Sequence, residues 1–379
     1  MKTRNIFIGL LTLVISGMSA SVLIAQSLEP NDIFISGTEG VHEFRIPAMI
    51  TLSSGTVITA CDARVDRKGD VPNNIDQMVK RSTDNGKTWG KIITAVNFAN
   101  QEGAGDPSLI QDAKTGRVFL FYTYCPGRND VPEGGNAKQR HLSLQYVFSD
   151  DEGLTWSIPQ VVEHGLKKEG WHSMWPGPGR GTVLSDERLI VPITVFDFEH
   201  FYSYYLFSDD HGISWDISGN IGMDVNEPTL VEIDENKLLV NARNTNRDGK
   251  RAIVTSDDRG KTWSEISYHE DLPDPTCQGS CIRIKDKKGK NILIFSNSAD
   301  PKKRQNMTVT ISYDNGKSWP VKRTVYEGPS AYSCLTVLQD GEIGLFYENG
   351  IESPYEKISF VKFPLDWVSG KDNTNENEK

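Results

Sequence analysis

The sequence has little cysteine and little histidine for its length. Its 379 residues include seven histidines and five cysteines, Cys61, Cys125, Cys277, Cys281 and Cys334. A chain of this length can build a core without a disulfide scaffold, although Cys277 and Cys281 are near enough in sequence to bridge. The histidines are scattered, and no His or Cys spacing resembles a zinc site. We therefore expect no metal centre.

Positive charge is also scarce. Lys and Arg number 41 against 51 Asp and Glu, which gives a formal net charge of −10. This balance argues against nucleic acid as a partner and against binding to anionic surfaces in general. If the ligand is an anion, its attraction must come from a local cluster of arginines.

Long apolar runs are missing after the first residues. Lys2 and Arg4 precede the apolar stretch Ile6–Ile15, and small residues follow it. This order is typical of a secretory signal peptide, which we predict over residues 1–26 without fixing the cleavage site. No later stretch is long and apolar enough to cross a bilayer. The sequence therefore predicts an exported chain, periplasmic or secreted, with no membrane span.

The chain is rich in one short pattern, Ser-x-Asp-x-Gly-x-Thr/Ser-Trp. Five copies run over Ser82–Trp89, Ser149–Trp156, Ser208–Trp215, Ser256–Trp263 and Ser312–Trp319. Strand-like runs precede them, and Asp-x-Gly is typical of hairpin turns, where Asp accepts backbone N–H bonds and Gly supplies a positive φ. The closing Trp can pack the turn against its sheet. Repetition at this spacing predicts an array of similar β units.

The repeats resemble the Asp boxes of sialidases and of some other β-propellers. This resemblance implies an all-β fold, a six-bladed β-propeller with Asp-box repeats. The roughly 350 residues left after a signal peptide suit six units of about 57 residues, the mean repeat spacing. We therefore predict one catalytic domain over residues 27–369 and a polar C-terminal tail over 370–379. We also expect a monomer.

A second motif, Phe44-Arg45-Ile46-Pro47, places an arginine inside an apolar stretch. A buried charge needs a partner, so this motif alone suggests a salt-bridged structural arginine. Beside the Asp boxes, it is similar to the first-strand signature of sialidases, whose arginine grips the carboxylate of the sugar. The resemblance extends to an Asp-Ala-Arg segment ending in Arg64 and to an acid/base Asp on the next loop. Spacing favours Asp70 for that role over Asp66.

The rest of the chain supplies further matches to the family. Glu227, in Asn-Glu-Pro, resembles the general base, and Arg243, in Asn-Ala-Arg-Asn, resembles the second arginine of the carboxylate site. Arg304 resembles the third arginine, although it follows Lys302 and Lys303 and a solvated basic loop looks the same.

Four more residues complete the set that the resemblance implies. Tyr332, in a Ser-Ala-Tyr-Ser turn, matches the nucleophile, and Glu348 stands where the family has a carboxylate that steadies the first arginine. Asp106 resembles a family Asp near the ring substituents of the sugar. Gln278 lies in a Cys-Gln-Gly-Ser stretch similar to that of bacterial members and is a candidate substrate contact, as is Arg64.

Taken together, the resemblance implies an exported exo-sialidase that releases terminal sialic acid from glycoproteins, glycolipids or oligosaccharides. It implies retention through a tyrosyl intermediate, with Asp70, Glu227 and Tyr332 as catalytic residues and no cofactor. Two alternatives stay open. One is a trans-sialidase with the same site, and the other is a non-catalytic, glycan-binding Asp-box propeller.

Overall fold

The chain is built almost wholly of β-strands. The computed structural model describes residues 28–99, 102–127, 141–162, 165–286 and 288–370. The predicted signal peptide (1–26) and nearly all of the predicted tail (370–379) lie outside this part of the chain.

The first strands in chain order are β1 (Asn31–Ile35), β2 (Glu43–Thr51), β3 (Val57–Arg64), β4 (Ile75–Ser82), β5 (Ile93–Val96), β6 (Gly103–Gln111), β7 (Val118–Cys125), β8 (Ser143–Ser149) and β9 (Gln160–Val161). The middle strands are β10 (Ser173–Pro176), β11 (Gly179–Arg180), β12 (Thr182–Val183), β13 (Leu189–Phe196), β14 (Phe201–Ser208), β15 (Asp216–Ile217), β16 (Gly222–Met223), β17 (Val225–Asp234), β18 (Lys237–Asn244), β19 (Lys250–Ser256) and β20 (Ser267–Pro273). The last elements are β21 (Ser280–Lys285), β22 (Asn291–Ser298), β23 (Gln305–Ser312), β24 (Val321–Val337), β25 (Ile343–Asn349), β26 (Lys357–Phe363) and the short helix α1 (Leu365–Ser369).

Within the described residues the strands form four sheets made mainly of antiparallel neighbours. Their orders are β2-β3-β4-β6-β7-β8-β9, β10-β13-β14-β15, β17-β18-β19-β20 and β1-β26-β25-β24-β23-β22-β21, with β5, β11, β12 and β16 pairing at the sides. The long strand β24 pairs with β23 through its first part and with β25 through its last part. Strand β1 pairs with β26, so the two ends of the described chain close into one sheet.

Consecutive antiparallel strands form hairpin groups, and several groups contact one another through strands that we call the inner strands: β2, β6, β17, β21 and β24. Strand β2 contacts both β6 and β24, β17 contacts β21, and β21 contacts β24. The apolar clusters lie on the faces between neighbouring groups, for example Ile110, Phe119 and Phe121 of one group against Leu189 and Leu206 of the next. These contacts bring stretches that are distant in the sequence next to one another.

The five repeated turns share one hydrogen-bond pattern. In the third copy, Asp210 accepts from the Ser214 backbone N–H at 2.9 Å and from its hydroxyl at 2.5 Å, and the Gly212 N–H donates to Ser208 Oγ at 2.8 Å. The closing Trp215 meets Phe121 of the neighbouring group edge-on, with ring centroids 5.0 Å apart. The repeats thus have a structural role, and the closing Trp packs against a neighbouring group in the third copy and against Phe295 of its own group in the fifth.

Two further observations concern disulfide bonds and membrane spans. All five cysteines are buried and none forms a disulfide, so Cys277 and Cys281 do not bridge. In the described residues, no helix has the length and apolarity that a membrane crossing demands.

Candidate active site

Three of the predicted site residues lie at bulges on inner strands. Register shifts interrupt the pairing of β2, β6 and β17. At each shift the residue before a proline has a left-handed backbone: Ile46 (φ 60°), Asp106 (φ 57°) and Glu227 (φ 42°). This conformation is costly for residues other than glycine, above all for a β-branched one. Bulges often change the direction of side chains next to active sites. Here the bulges lie at Asp106, at Glu227 and directly after Arg45.

Glu348 organises two of the site's elements. Its carboxylate accepts from Arg45 Nε at 2.6 Å and Nη2 at 3.3 Å, and from the backbone N–H groups of Ile46 (2.7 Å) and Tyr332 (3.0 Å). Glu348 is fully buried and Arg45 is 6% exposed. The pair therefore fixes Arg45 of β2 beside Tyr332 of β24, which is the arrangement expected for a carboxylate that steadies the first arginine.

Tyr332 is hydrogen-bonded to Glu227 and Arg243. Its hydroxyl donates to Glu227 Oε1 at 2.6 Å, while Arg243 Nη1 donates to that same oxygen at 2.9 Å and to the Tyr332 oxygen at 3.0 Å. Burial and the nearby charge of Glu227 raise the pKa of Tyr332 well above 10, against the opposing influence of Arg243 and Arg304. The phenol is therefore protonated at neutral pH, with a carboxylate placed to take its proton.

Arg304 is the third guanidinium group in a cluster at Tyr332. The Cζ atoms of Arg304 and Arg45 lie 5.4 Å and 5.5 Å from the centre of the Tyr332 ring, and Arg243 contacts its hydroxyl. Arg304 is thus part of the site rather than of a solvated basic loop. Such a cluster of planar guanidinium groups suits bidentate recognition of a carboxylate.

Tyr355 is a site residue that the sequence did not reveal. The Arg45 Cζ lies 3.8 Å from the centre of its ring, and its hydroxyl accepts from Arg304 Nη1 at 3.0 Å. Tyr355 therefore holds two of the three arginines in position. No local motif marks it, because its partners lie far away in the sequence.

The structure separates the two candidates for the acid. Asp70 pairs with Arg64 Nη2 and its side chain is 81% exposed, whereas Asp66 accepts from Asn74 Nδ2 at 3.3 Å on the same loop. Desolvation tends to raise the pKa of Asp70, but the charges of Arg64 and Arg45 outweigh it and the pKa falls below 3.8. The charge of Arg304 also lowers it.

Asp62, on β3, is the first residue of the Asp-Ala-Arg segment, and no separate role was predicted for it. Its Oδ1 accepts from the backbone N–H of Asp106 and from Gln77 Nε2, both at 3.0 Å, and its Oδ2 lies 3.6 Å from Arg64 Nη2. Burial raises its pKa to about 7. The signal was available, because alternation on β3 places Asp62 and Arg64 on one face.

The side chains of Asp106 and Gln278 form hydrogen bonds with other residues of the chain. Asp106 Oδ2 accepts from the Thr123 hydroxyl at 3.1 Å, and burial together with the charge of Asp62 raises its pKa well above 3.8. Gln278 donates from Nε2 to the Pro178 carbonyl at 3.1 Å and accepts at Oε1 from the Ser333 N–H at 3.0 Å. Gln278 thus supports the strand that carries Tyr332, and sugar contacts from these residues and from Arg64 stay predictions.

Comparison with known proteins points in the same direction. Residues 79–345 match the model of the BNR repeat-like domain. The chain is 32% identical to the sialidase of Micromonospora viridifaciens over 89% of this chain and 54% of that protein. It is also 32% identical to the sialidase of Bacteroides fragilis over 83% of this chain and 62% of that protein. The chain therefore spans between half and two thirds of the length of these relatives.

A solved structure extends the likeness to the fold. The Hadza microbial sialidase Hz136 superposes with a TM-score of 0.81 at 32% identity, covering 89% of this chain and 69% of that one. The all-β prediction and the resemblance to sialidases are confirmed. The chain belongs to the family of BNR repeat-like domains and, within it, is similar in sequence and fold to bacterial sialidases.

Proposed function

We propose that this chain is an exo-α-sialidase that hydrolyses terminal sialic acid from glycoproteins, glycolipids and oligosaccharides. The observation that carries the proposal is the ring of Arg45, Arg243 and Arg304 around Tyr332, whose hydroxyl donates to Glu227 at 2.6 Å. A non-catalytic sugar-binding protein has no need of a phenol paired with a base inside an arginine cluster.

The arginines provide the binding step. Sialic acid carries a carboxylate on its anomeric carbon, and three guanidinium groups can bind it through charge-assisted hydrogen bonds. The carboxylate of the substrate also determines which type of nucleophile is suitable. An Asp or Glu would approach against a fixed negative charge, whereas a tyrosine is neutral until it reacts, and sialidases are known exceptions to the two-carboxylate scheme of glycosidases.

The first chemical step forms a tyrosyl intermediate. Glu227 takes the phenolic proton as Tyr332 oxygen bonds to the anomeric carbon. The bond from that carbon to the leaving oxygen breaks, and Asp70 donates a proton to the oxygen. In the second step Asp70 takes a proton from water, the water oxygen replaces Tyr332 on the carbon, and Tyr332 recovers its proton from Glu227. Two displacements give retention.

Substrate binding prepares Asp70 for its role as an acid. In the unliganded site, the charges of Arg64, Arg45 and Arg304 hold its pKa below 3.8 despite desolvation. The substrate carboxylate neutralises the charges of Arg45 and Arg304, and the sugar displaces water from an exposed side chain. Both changes raise the pKa of Asp70, so the proton needed by the leaving group is held only in the complex.

The direct test compares two phenol deletions on one strand. Tyr332→Phe removes the nucleophile, and we expect hydrolysis of an aryl sialoside to fall by several orders of magnitude. Tyr326→Phe is the matched control, because it removes a hydroxyl of β24 that donates only to the Gly350 carbonyl, at 2.6 Å. Full activity of folded Tyr332→Phe protein contradicts the proposal.

Product analysis decides between hydrolysis and transfer. Free sialic acid as the sole product, with lactose present or absent, supports the hydrolase. A sialylated lactose product identifies the trans-sialidase instead. Substrates with α2,3, α2,6 and α2,8 linkages in the same assay define the linkage preference.

Three properties of the whole protein belong to the proposal as well. We propose six blades, since the four sheets divide into six consecutive groups of antiparallel neighbours among the described strands. The first sheet divides at the parallel pair β4–β6, and the last divides between the two parts of β24. We propose export directed by residues 1–26, and a monomer, because every site residue comes from one chain. Mass spectrometry of the protein released from cells and light scattering test the last two.

A further inference from the structure

An arginine that takes no part in the proposed mechanism lines a recess between inner strands. Two adjoining cavities of about 380 Å³ and 300 Å³ share Thr51, Arg180, Val183 and Val337 in their walls. We call these two cavities the Arg180 recess.

The recess lies at the opposite end of the inner strands from the active site. Strand β2 carries Arg45 near its start and Thr51 at its end, and β24 carries Tyr332 before Val337 in the same order. In both strands five or six residues separate the two positions, which corresponds to roughly 15–20 Å along a strand. A molecule in the recess therefore does not touch the catalytic groups.

Arg180 has no counter-charge in the described part of the chain. Its Nε donates to the Gly181 carbonyl at 3.3 Å and its Nη1 to the Leu335 carbonyl at 3.2 Å. No carboxylate contributes to its electrostatics, and burial lowers the pKa of the guanidinium. Arg180 is half-buried, and a partly desolvated cation without a counter-charge is unfavourable, so an anion in the recess gains a charge-assisted hydrogen bond to the donors that remain.

The backbone on both sides of Arg180 is closely packed. A Cβ at Gly181 would lie 2.5 Å from the Ile190 carbonyl oxygen and 2.8 Å from Ile110 Cδ1, so the chain is packed too closely to shift. On the other side, Gly179 has a left-handed φ of 113° and packs against Gln278. Arg180 thus lies on a closely packed segment of backbone.

The remaining charges in the recess balance each other. Glu232 is buried and accepts from Arg283 Nη2 at 3.1 Å and from the Ser185 hydroxyl at 2.7 Å. The net charge that faces the recess is therefore that of Arg180. The larger cavity has a mixed wall, with polar residues such as Gln111 and Gln339 beside a group of apolar ones. Its apolar residues include Ile50, Leu52, Ile110, Val183, Val337 and Leu338.

We propose that the Arg180 recess binds a small organic monocarboxylate. Its carboxylate contacts the Arg180 guanidinium, and its apolar body lies against the aliphatic wall of the larger cavity. The single unpaired positive charge favours a monoanion over a dianion such as inorganic phosphate, and the apolar residues of the wall give an organic body a surface to pack against. This site is independent of the sialic acid site.

The test uses benzoate as the probe and benzamide as its neutral counterpart. Titration calorimetry is carried out in the Arg304→Ala background, so that binding at the proposed catalytic site is weakened. We expect benzoate to bind at least about tenfold more tightly than benzamide, because a charge-assisted hydrogen bond is worth more than a neutral one. Equal binding of the two probes, no binding of benzoate, or preferential binding of phosphate overturns the proposal.

A pair of variants assigns the binding to this recess. Val183 lines both cavities and is 41% exposed, so Val183→Asp places a carboxylate opposite Arg180 without removing the hydrogen bonds of Arg180 to the backbone. We expect Val183→Asp to weaken benzoate binding at least about tenfold, and Val183→Asn, the uncharged control of the same shape, to retain it. If both variants bind benzoate alike, the carboxylate does not bind at Arg180.

Discussion

The substitution Glu348→Gln tests how Arg45 is held in the site. The carboxylate of Glu348 accepts hydrogen bonds from two nitrogens of Arg45 and from the backbone of Ile46 and Tyr332. An amide of the same size removes the negative charge and brings its own N–H₂ donor toward groups that also donate. Removing one partner of a buried ion pair typically costs about 3–5 kcal/mol, and we expect a loss of stability in that range.

The same substitution should weaken catalysis in the molecules that remain folded. Arg45 loses the partner that orients it, so its hydrogen bonds to the substrate carboxylate become weaker. Hydrogen bonds to charged groups are worth about 1.5–3 kcal/mol, which predicts a fall in kcat/KM of about ten- to a hundredfold per bond lost. The assay is hydrolysis of an aryl sialoside, with urea unfolding measured on the same protein.

Glu232→Gln is the matched control. Glu232 is also a buried carboxylate (3% exposed) and pairs with Arg283 at 3.1 Å, at the opposite end of β17 from Glu227. We expect it to reduce stability while kcat/KM per folded molecule stays within about twofold of the wild type. A folded Glu348→Gln protein that also stays within twofold refutes the role given to this ion pair.

Three further predictions follow from the site and the turns. Asp70→Ala should slow natural sialosides, which have poor leaving groups, far more than aryl sialosides; equal slowing of both in a steady-state comparison removes Asp70 as the acid. Asp62→Asn should flatten the pH dependence of stability. Burial raises the pKa of Asp62 from 3.8 to about 7, so between these pH values Asp62 is protonated in the native state and ionised in the unfolded state. The stability that this proton contributes is lost as the pH rises from about 4 to 7. Urea unfolding at several pH values measures this, and an unchanged slope contradicts it. Gly212→Ala should destabilise the fold without lowering kcat/KM, because a Cβ there lies 2.2 Å from Phe119 Cζ at a φ of 80°; a thermal unfolding midpoint equal to that of the wild type rules out this account of the third turn.

Local sequence was enough to predict the parts of the structure that depend on local chemistry. The Asp-x-Gly turns form because Asp, Gly and the hydroxyl residue all lie within one turn. The motif around Arg45 and the spacing of Asp70 after Arg64 identified residues that the structure brings together. These patterns are short and repeated, or match a family motif, so they can be recognised without knowledge of the fold.

Long-range contacts could not be predicted from local chemistry, and the pairing of Glu348 with Arg45 was expected only through the resemblance to a family. Glu348 and Arg45 are 303 positions apart in the sequence. Tyr355 lies in the turn between β25 and β26, and it meets Arg45 only because β2 lies against these two strands. The bulges on β2, β6 and β17 left a weak trace, since each has a proline directly after the residue with left-handed φ. A proline in a strand removes a ladder hydrogen bond, and this signal pointed to the bulges but not to the direction in which the side chains turn.

The most direct test of the account is to trap the covalent intermediate. A 2,3-difluoro analogue of sialic acid carries fluoride as a leaving group, and its ring fluorine disfavours the positive charge that develops when the intermediate breaks down. Peptide mass spectrometry after incubation should find the sugar on Tyr332 alone, and none on the Tyr332→Phe protein. A label on Glu227 or Asp70, or an active enzyme that never carries the sugar on Tyr332, contradicts the assignment of the nucleophile.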